Sequence, residues 1–123
     1  MRHLSILGST GSIGRQTLEV ADALDLPVEA LTAHSSTQLL EQQARRFRPR
    51  LVAVGDAAYA DLRTRLADTN IEVAAGEEGV MQAASLAQAD TVVTAVVGIA
   101  GFRPSLAAID AGKRIALANK ETL

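Results

Sequence analysis

The chain has 123 residues, 48% of them hydrophobic and only 2% aromatic, with a formal net charge of −2 and no cysteine. This fits one domain with a core of Ala, Val, Leu and Ile, and it excludes disulfides, thiolate metal sites and a global field for DNA or an anionic membrane. Phe47, Tyr59 and Phe102 offer little for stacking bases, the apolar run from Met1 to Leu7 is too short for a signal peptide, and no stretch can span a bilayer, so a cytoplasmic domain is expected.

Short β-branched runs alternate with longer segments of helical period. His3 to Leu7 reads as a strand, followed by Gly8 to Gly14 and a helix reaching Ala23. After Pro27, Val28 to Ala33 reads as the second strand. The helix from Thr37 places Leu40, Ala44 and Phe47 on one face, and Pro49 stops it. Leu51 to Val54 is the third strand; Asp56 is a candidate helix cap, with Ala58, Leu62 and Leu66 repeating behind it. Ile71 to Ala74 reads as a strand and Val80 to Ala87 as a short helix. Thr91 to Val97 is the most β-branched stretch; Phe102, Leu106 and Ile109 form a helical stripe with Gly112 at the stop, and Arg114 to Ala118 closes the series. Alternation of this kind predicts an α/β fold, a doubly wound, mostly parallel six-stranded sheet of Rossmann type, in one domain over residues 1–123.

The sharpest motif is Ile6-Leu7-Gly8-Ser9-Thr10-Gly11-Ser12-Ile13-Gly14, at the first strand–helix junction. In such a turn Gly8 permits the tight exit from the strand, Gly11 lets a pyrophosphate approach the backbone, and Gly14 lets the helix pack on the sheet. The N–H groups of Thr10 to Ile13 and the helix dipole favour a phosphate. No Gly-Lys-Ser/Thr stands at P-loop offset; the nearest run is Gly14-Arg15-Gln16-Thr17. A tight turn without a ligand is the alternative. Beyond the second strand, Ala33-His34-Ser35-Ser36-Thr37 lacks the carboxylate that grips the ribose hydroxyls in NAD-specific domains, which points to NADPH. The same hydroxyls suit a helix cap, and capping does not exclude a phosphate. At the other end, Asn119, Lys120 and Glu121 fall just past the last strand, where ligands sit in open α/β sheets; a solvated Lys–Glu pair is the plainer alternative.

The glycine turn and Ala116-Leu117-Ala118-Asn119-Lys120-Glu121-Thr122-Leu123 together resemble the amino-terminal, NADPH-binding part of 1-deoxy-D-xylulose 5-phosphate reductoisomerases. Ala95-Val96-Val97-Gly98-Ile99-Ala100-Gly101 and Leu106-Ala107-Ala108-Ile109-Asp110-Ala111-Gly112-Lys113 look like the same family, so the resemblance spans the chain. It implies an NADPH-dependent and divalent-metal-dependent (Mg or Mn) rearrangement and reduction giving 2-C-methyl-D-erythritol 4-phosphate, in non-mevalonate isoprenoid synthesis. It further implies a homodimeric intact enzyme. By position, Thr10, Gly11, Ser12, Ile13, Asn119 and Glu121 would contact the cofactor; Lys120 would contact the sugar phosphate; and His34, Ser35 and Ser36 would face the adenosine 2′-phosphate. Where the family often has a basic residue and an Asn, this chain has Ser35 and Ser36. Loss of a charge-assisted contact worth about 1.5–3 kcal/mol implies a weaker NADPH preference.

The resemblance places the metal carboxylates, substrate domain and closing loop beyond Leu123, so a truncated chain that binds cofactor without turnover is expected, with an apolar edge prone to self-association. Two rivals remain: a domain of a semialdehyde or homoserine-type dehydrogenase, and a non-catalytic nucleotide-sensing module. Arg45, Arg46, Arg48 and Arg50 around Pro49 are the one feature in favour of nucleic acid, but no aromatics interleave with them and none is expected to bind it.

Overall fold

The computed structural model describes residues 2–95 and 102–117. Its elements follow in the order β1 (Leu4–Leu7), α1 (Ser12–Ala23), β2 (Val28–Thr32), α2 (Thr37–Phe47), β3 (Leu51–Val54), a 3-10 turn (Asp56–Ala58), α3 (Tyr59–Arg65), β4 (Glu72–Ala75), α4 (Gly76–Ala84), β5 (Thr91–Thr94), α5 (Phe102–Asp110) and β6 (Arg114–Leu117). The six strands form one sheet in the order β4-β3-β2-β1-β5-β6, with every neighbouring pair parallel. The chain walks from β1 to one edge at β4, then crosses back to lay β5 on the other side of β1. The carboxyl ends of β1 and β5 therefore flank the switch point where α/β sheets open a crevice.

Helices cover both faces, as the nearly continuous apolar strands require. On one face Leu4, Ile6, Leu31, Val52, Val54 and Val93 meet Leu18 and Ala21 of α1, Leu40 and Ala44 of α2, and Leu62 and Leu66 at the end of α3. On the other, Leu7, Ala30, Leu51 and Val92 meet Ala83 and Ala84 of α4 and Ala108 of α5. The alternation slips once. Leu4 pairs with Val28 but Ser5 with Ala30, so Glu29 is an extra residue in β2. Glu29 turns its carboxylate to His3 Nδ1 at 2.7 Å and Arg50 Nε at 3.1 Å.

Three expectations shift. Asp56 does not cap α3; it opens the 3-10 turn, and Ala58 holds the cap position of the helix. The fourth helix begins at Gly76 rather than near Val80, directly off β4, with Glu77 and Glu78 in the first turn where the dipole favours acids. Two members of the α5 stripe are turned outward: Leu106 is 46% and Ile109 58% exposed, while Ala108 is fully buried. α5 lies on its small-residue side against α4, and the ion pair of Arg103 with Glu77 at 2.7 Å spans the same seam. The arginines around Pro49 do not form a free basic patch, since Arg45, Arg46 and Arg50 each meet carboxylates. The parts of the expected strands at Val96 and Val97 and at Ala118 lie outside the described residues. Among the described residues, no helix is long and apolar enough to cross a membrane.

Candidate functional site

The glycine turn leaves β1 at its carboxyl end, on the β5 side of which Leu7 is in register with Thr94. Gly8 stands at φ 84, a left-handed conformation that favours glycine. Its N–H donates to the carbonyl of Thr32 at 3.1 Å and to Thr32 Oγ1 at 3.0 Å, and the Ser9 N–H donates to the same carbonyl at 2.8 Å. The turn is thus tied to the end of β2 by one threonine.

Gly14 is the tightest point. A Cβ there would stand 2.1 Å from the Gly8 carbonyl oxygen and 2.6 Å from Ser9 Cα, so α1 crosses the turn where only a hydrogen fits. Gly11 is different. It holds the cap position of α1 at φ −76, which any residue adopts, and the nearest atom to a Cβ there is the Gly8 carbonyl oxygen at 4.0 Å. Among the described residues, neither conformation nor packing demands glycine at 11. The demand fits a group outside the chain that must reach the backbone. Gly11 and Ser12 are exposed, Thr10 and Ile13 half-buried, and the first turn of α1 carries no acidic side chain. Arg15 instead lies there, its Nε 3.4 Å from the Gly11 carbonyl oxygen, adding a cation where the dipole already favours an anion.

Beneath the turn, Ser9 is fully buried and Gln43 is 7% exposed. Ser9 Oγ donates to Gln43 Oε1 at 2.7 Å, and Gln43 Nε2 donates to the Ser9 carbonyl oxygen at 2.9 Å. This pair joins the turn to the middle of α2.

The second group lies past β2. His34, Ser35 and Ser36 are all exposed. The Gly55 N–H donates to the His34 carbonyl at 2.9 Å, and the His34 ring lies over Gly55, where a Cβ would be 3.1 Å from Nδ1. Ser36 holds the cap position of α2 but makes no side-chain capping bond, so its hydroxyl is not consumed by the helix. Ser35, Ser36, Thr37, Gln38, Gln42 and Arg65 line an open polar hollow here. Arg65 comes from α3, and its Nε and Nη1 are held by Asp61 at 3.0 Å and Glu41 at 3.1 Å. Thr37 Oγ1 donates to Asp61 at 2.6 Å. That bond first, and Arg65 second, hold the Asp61 carboxyl below its usual range. Arg65 first and Arg45 second do the same for Glu41.

The structure therefore brings Gly8, Thr10, Gly11, Ser12, Ile13 and Gly14 into one turn, and groups His34, Ser35 and Ser36 past the next strand. Asn119, Lys120 and Glu121 lie outside the described residues. Thr32, Gln43 and Arg65 escaped the sequence reading. Gln43 carried a signal: it shares the Leu40, Ala44 and Phe47 face of α2, and a polar residue on an apolar stripe asks for a partner. Arg65 carried none, because only the fold brings α3 beside the start of α2. Among the described residues, no three His, Asp or Glu side chains converge to hold a metal ion.

The family model for 1-deoxy-D-xylulose 5-phosphate reductoisomerase matches residues 4–123. The enzyme of that name from Agathobacter rectalis is 54% identical over 125 residues, covering 100% of this chain and 33% of the relative. The Gloeobacter violaceus enzyme is 52% identical over 128 residues, with 100% and 33% covered. Among solved structures, the enzyme from Zymomonas mobilis in complex with NADPH superposes with a TM-score of 0.90 at 40% identity, covering 99% of this chain and 33% of that one. A DOX-P reductoisomerase crystal structure in complex with magnesium gives a TM-score of 0.93 at 40% identity, covering 100% of this chain and 32% of the other. The chain spans about a third of the length of the relatives it matches.

Proposed function

Because this chain belongs to the 1-deoxy-D-xylulose 5-phosphate reductoisomerase family, we propose that residues 1–123 are the NADPH-binding domain of such an enzyme. The whole protein would convert 1-deoxy-D-xylulose 5-phosphate to 2-C-methyl-D-erythritol 4-phosphate, in the cytoplasm and as a homodimer. The observation that carries the reading is Gly11, a glycine that none of the described residues requires, at the open mouth of a turn otherwise fixed by its own contacts.

The residues present fit the cofactor. The backbone N–H groups of Thr10, Gly11, Ser12 and Ile13 would hold the pyrophosphate at the start of α1, with Arg15 adding charge. His34, Ser35 and Ser36 would meet the adenosine 2′-phosphate, with Arg65 supplying a cation from α3. Asn119 and Glu121 would hold the nicotinamide half, and Lys120 the sugar phosphate. When bound, NADPH supplies the hydride for the reduction. Among the described residues no group fits a divalent metal, and it is the family resemblance that assigns the metal-dependent rearrangement to the part of the relatives that this chain does not match. The family match favours this reading over the semialdehyde or homoserine-type dehydrogenase and the sensing module.

Calorimetric titration of the 123-residue chain with NADPH and NADH tests it. The expected result is saturable binding of both with NADPH the tighter, and no steady oxidation when substrate and magnesium are added. Absence of binding by either dinucleotide would contradict the reading.

A further inference from the structure

Gln43 is the one nearly buried polar side chain of α2, and it does not serve the helix it sits on. Both ends of its amide are spent on Ser9: Oε1 accepts from the hydroxyl at 2.7 Å, and Nε2 donates to the carbonyl oxygen at 2.9 Å. The amide orientation is forced, because a carbonyl oxygen can only accept. The geometry points to Gln43 as a positioning residue for dinucleotide binding, setting the direction of the first phosphate-facing N–H of the turn. This rests on the cofactor reading above and deepens it.

The coupling runs through one peptide plane. The Ser9 carbonyl and the Thr10 N–H belong to the same peptide, and no described peptide bond is cis. In a trans peptide those two groups point to opposite sides. Drawing the carbonyl inward to Gln43 therefore turns the Thr10 N–H outward, away from the core and towards the mouth of the turn. Without the side-chain amide, the carbonyl is an acceptor with no donor among the described residues, and the plane is free to rotate. The Thr32 bonds would persist, since they hold Gly8 and the Ser9 N–H on the other side of that plane. The role needs a donor and an acceptor on one tip at one reach, which among uncharged side chains means Gln. It also joins the two halves of the site physically, because α2, which carries Gln43 at its middle, carries Ser36 and Thr37 at its start.

The test uses the 123-residue chain, with folding checked by circular dichroism, and three probes: NADP⁺, NADH and adenosine 2′-monophosphate, which lacks the pyrophosphate. Gln43→Leu is expected to weaken NADP⁺ and NADH by a similar factor, about ten- to a hundredfold, while leaving adenosine 2′-monophosphate unchanged. Gln43→Glu adds a pH signature. Ionised, the carboxylate repels the Ser9 carbonyl; protonated, it regains a donor. Its NADP⁺ affinity should recover several-fold between pH 8 and pH 5.5 relative to the unsubstituted chain. Should the leucine variant not fold, the glutamate variant decides alone. Dinucleotide affinity unchanged in Gln43→Leu, an equal loss for all three probes, or a Gln43→Glu profile parallel to that of the unsubstituted chain would each overturn the proposal. If the unsubstituted chain binds neither dinucleotide, the cofactor reading itself fails, an outcome distinct from all of these.

Discussion

The glycine turn after β1 is made of backbone, clamped from below by Thr32 and Gln43 and from above by the close crossing of Gly14. The hollow at the start of α2 is made of exposed side chains drawn from two helices, with Arg65 shared between Asp61, Glu41 and open space. A site built from main-chain donors has its geometry written in glycine spacing, and every dinucleotide with a pyrophosphate can use it. One built from side chains can be reassigned residue by residue, and it is where NADPH and NADH are told apart. Removing a contact in the first should harm both cofactors alike, whereas removing one in the second should harm only the phosphorylated one.

The largest effect that could break this contrast is expected at Gly14. Gly14→Ala puts a methyl group 2.1 Å from the Gly8 carbonyl oxygen, so the turn and α1 must separate. A loss of about 1–3 kcal/mol in denaturant unfolding, with binding of both cofactors abolished, is predicted. Gly11→Ala should behave in the opposite manner, because among the described residues its Cβ meets nothing closer than the Gly8 carbonyl oxygen at 4.0 Å. Stability should change by no more than about 0.5 kcal/mol, while affinity for NADPH and NADH falls by a similar factor, about tenfold. If Gly11→Ala were silent for both cofactors, the turn would not approach a ligand at that point. Arg65→Gln sharpens the comparison from the other side. NADPH should weaken about three- to tenfold with NADH unchanged, and Arg65→Lys should restore part of the loss.

The smallest effect is one of pH. Asp61, held down by Thr37 and then Arg65, and Glu41, held down by Arg65 and then Arg45, have lower pKa values folded than unfolded. A depressed carboxyl stabilises the fold fully above its unfolded pKa, about 3.9 for Asp and 4.3 for Glu, and that stability is lost as pH falls through the folded value. The melting temperature should therefore be flat from pH 7 to about 5 and decline below about 4. Asp61→Asn should make the decline shallower; an identical decline would mean that the network between α2 and α3 adds nothing.

Legibility in the sequence followed the same division. The glycine turn and the alternation of β-branched and helical runs could be read directly, because periodicity and glycine spacing are local. The apolar strand Leu51–Val54 emerged where the sequence placed it, buried on both faces, whereas of the expected strand from Thr91 to Val97 the structure forms Thr91–Thr94 and leaves Ala95 outside it. Asp56 and the α5 stripe misled for one reason: a helix start or an apolar face is local, but which neighbour claims it is not. Leu106 and Ile109 look like core until Ala108 proves to be the residue that lets α5 approach. Arg65 is 30 residues past Ser35 in the chain (65 − 35), and no pattern links them. Gln43 lay within reach, as a polar residue on an otherwise apolar helical face.

One dinucleotide is expected to bridge the turn and the hollow, and backbone amide chemical shifts of the isotope-labelled chain would report it residue by residue. Titration with NADPH should move the amide signals of Thr10, Gly11, Ser12 and Ile13 together with those of Ser35, Ser36 and Thr37. Titration with NADH should move the first set while leaving the second nearly still. If NADPH left the signals of Thr10 to Ile13 unmoved, or shifted only residues elsewhere on the sheet, the turn would not be the cofactor site and the account would be wrong.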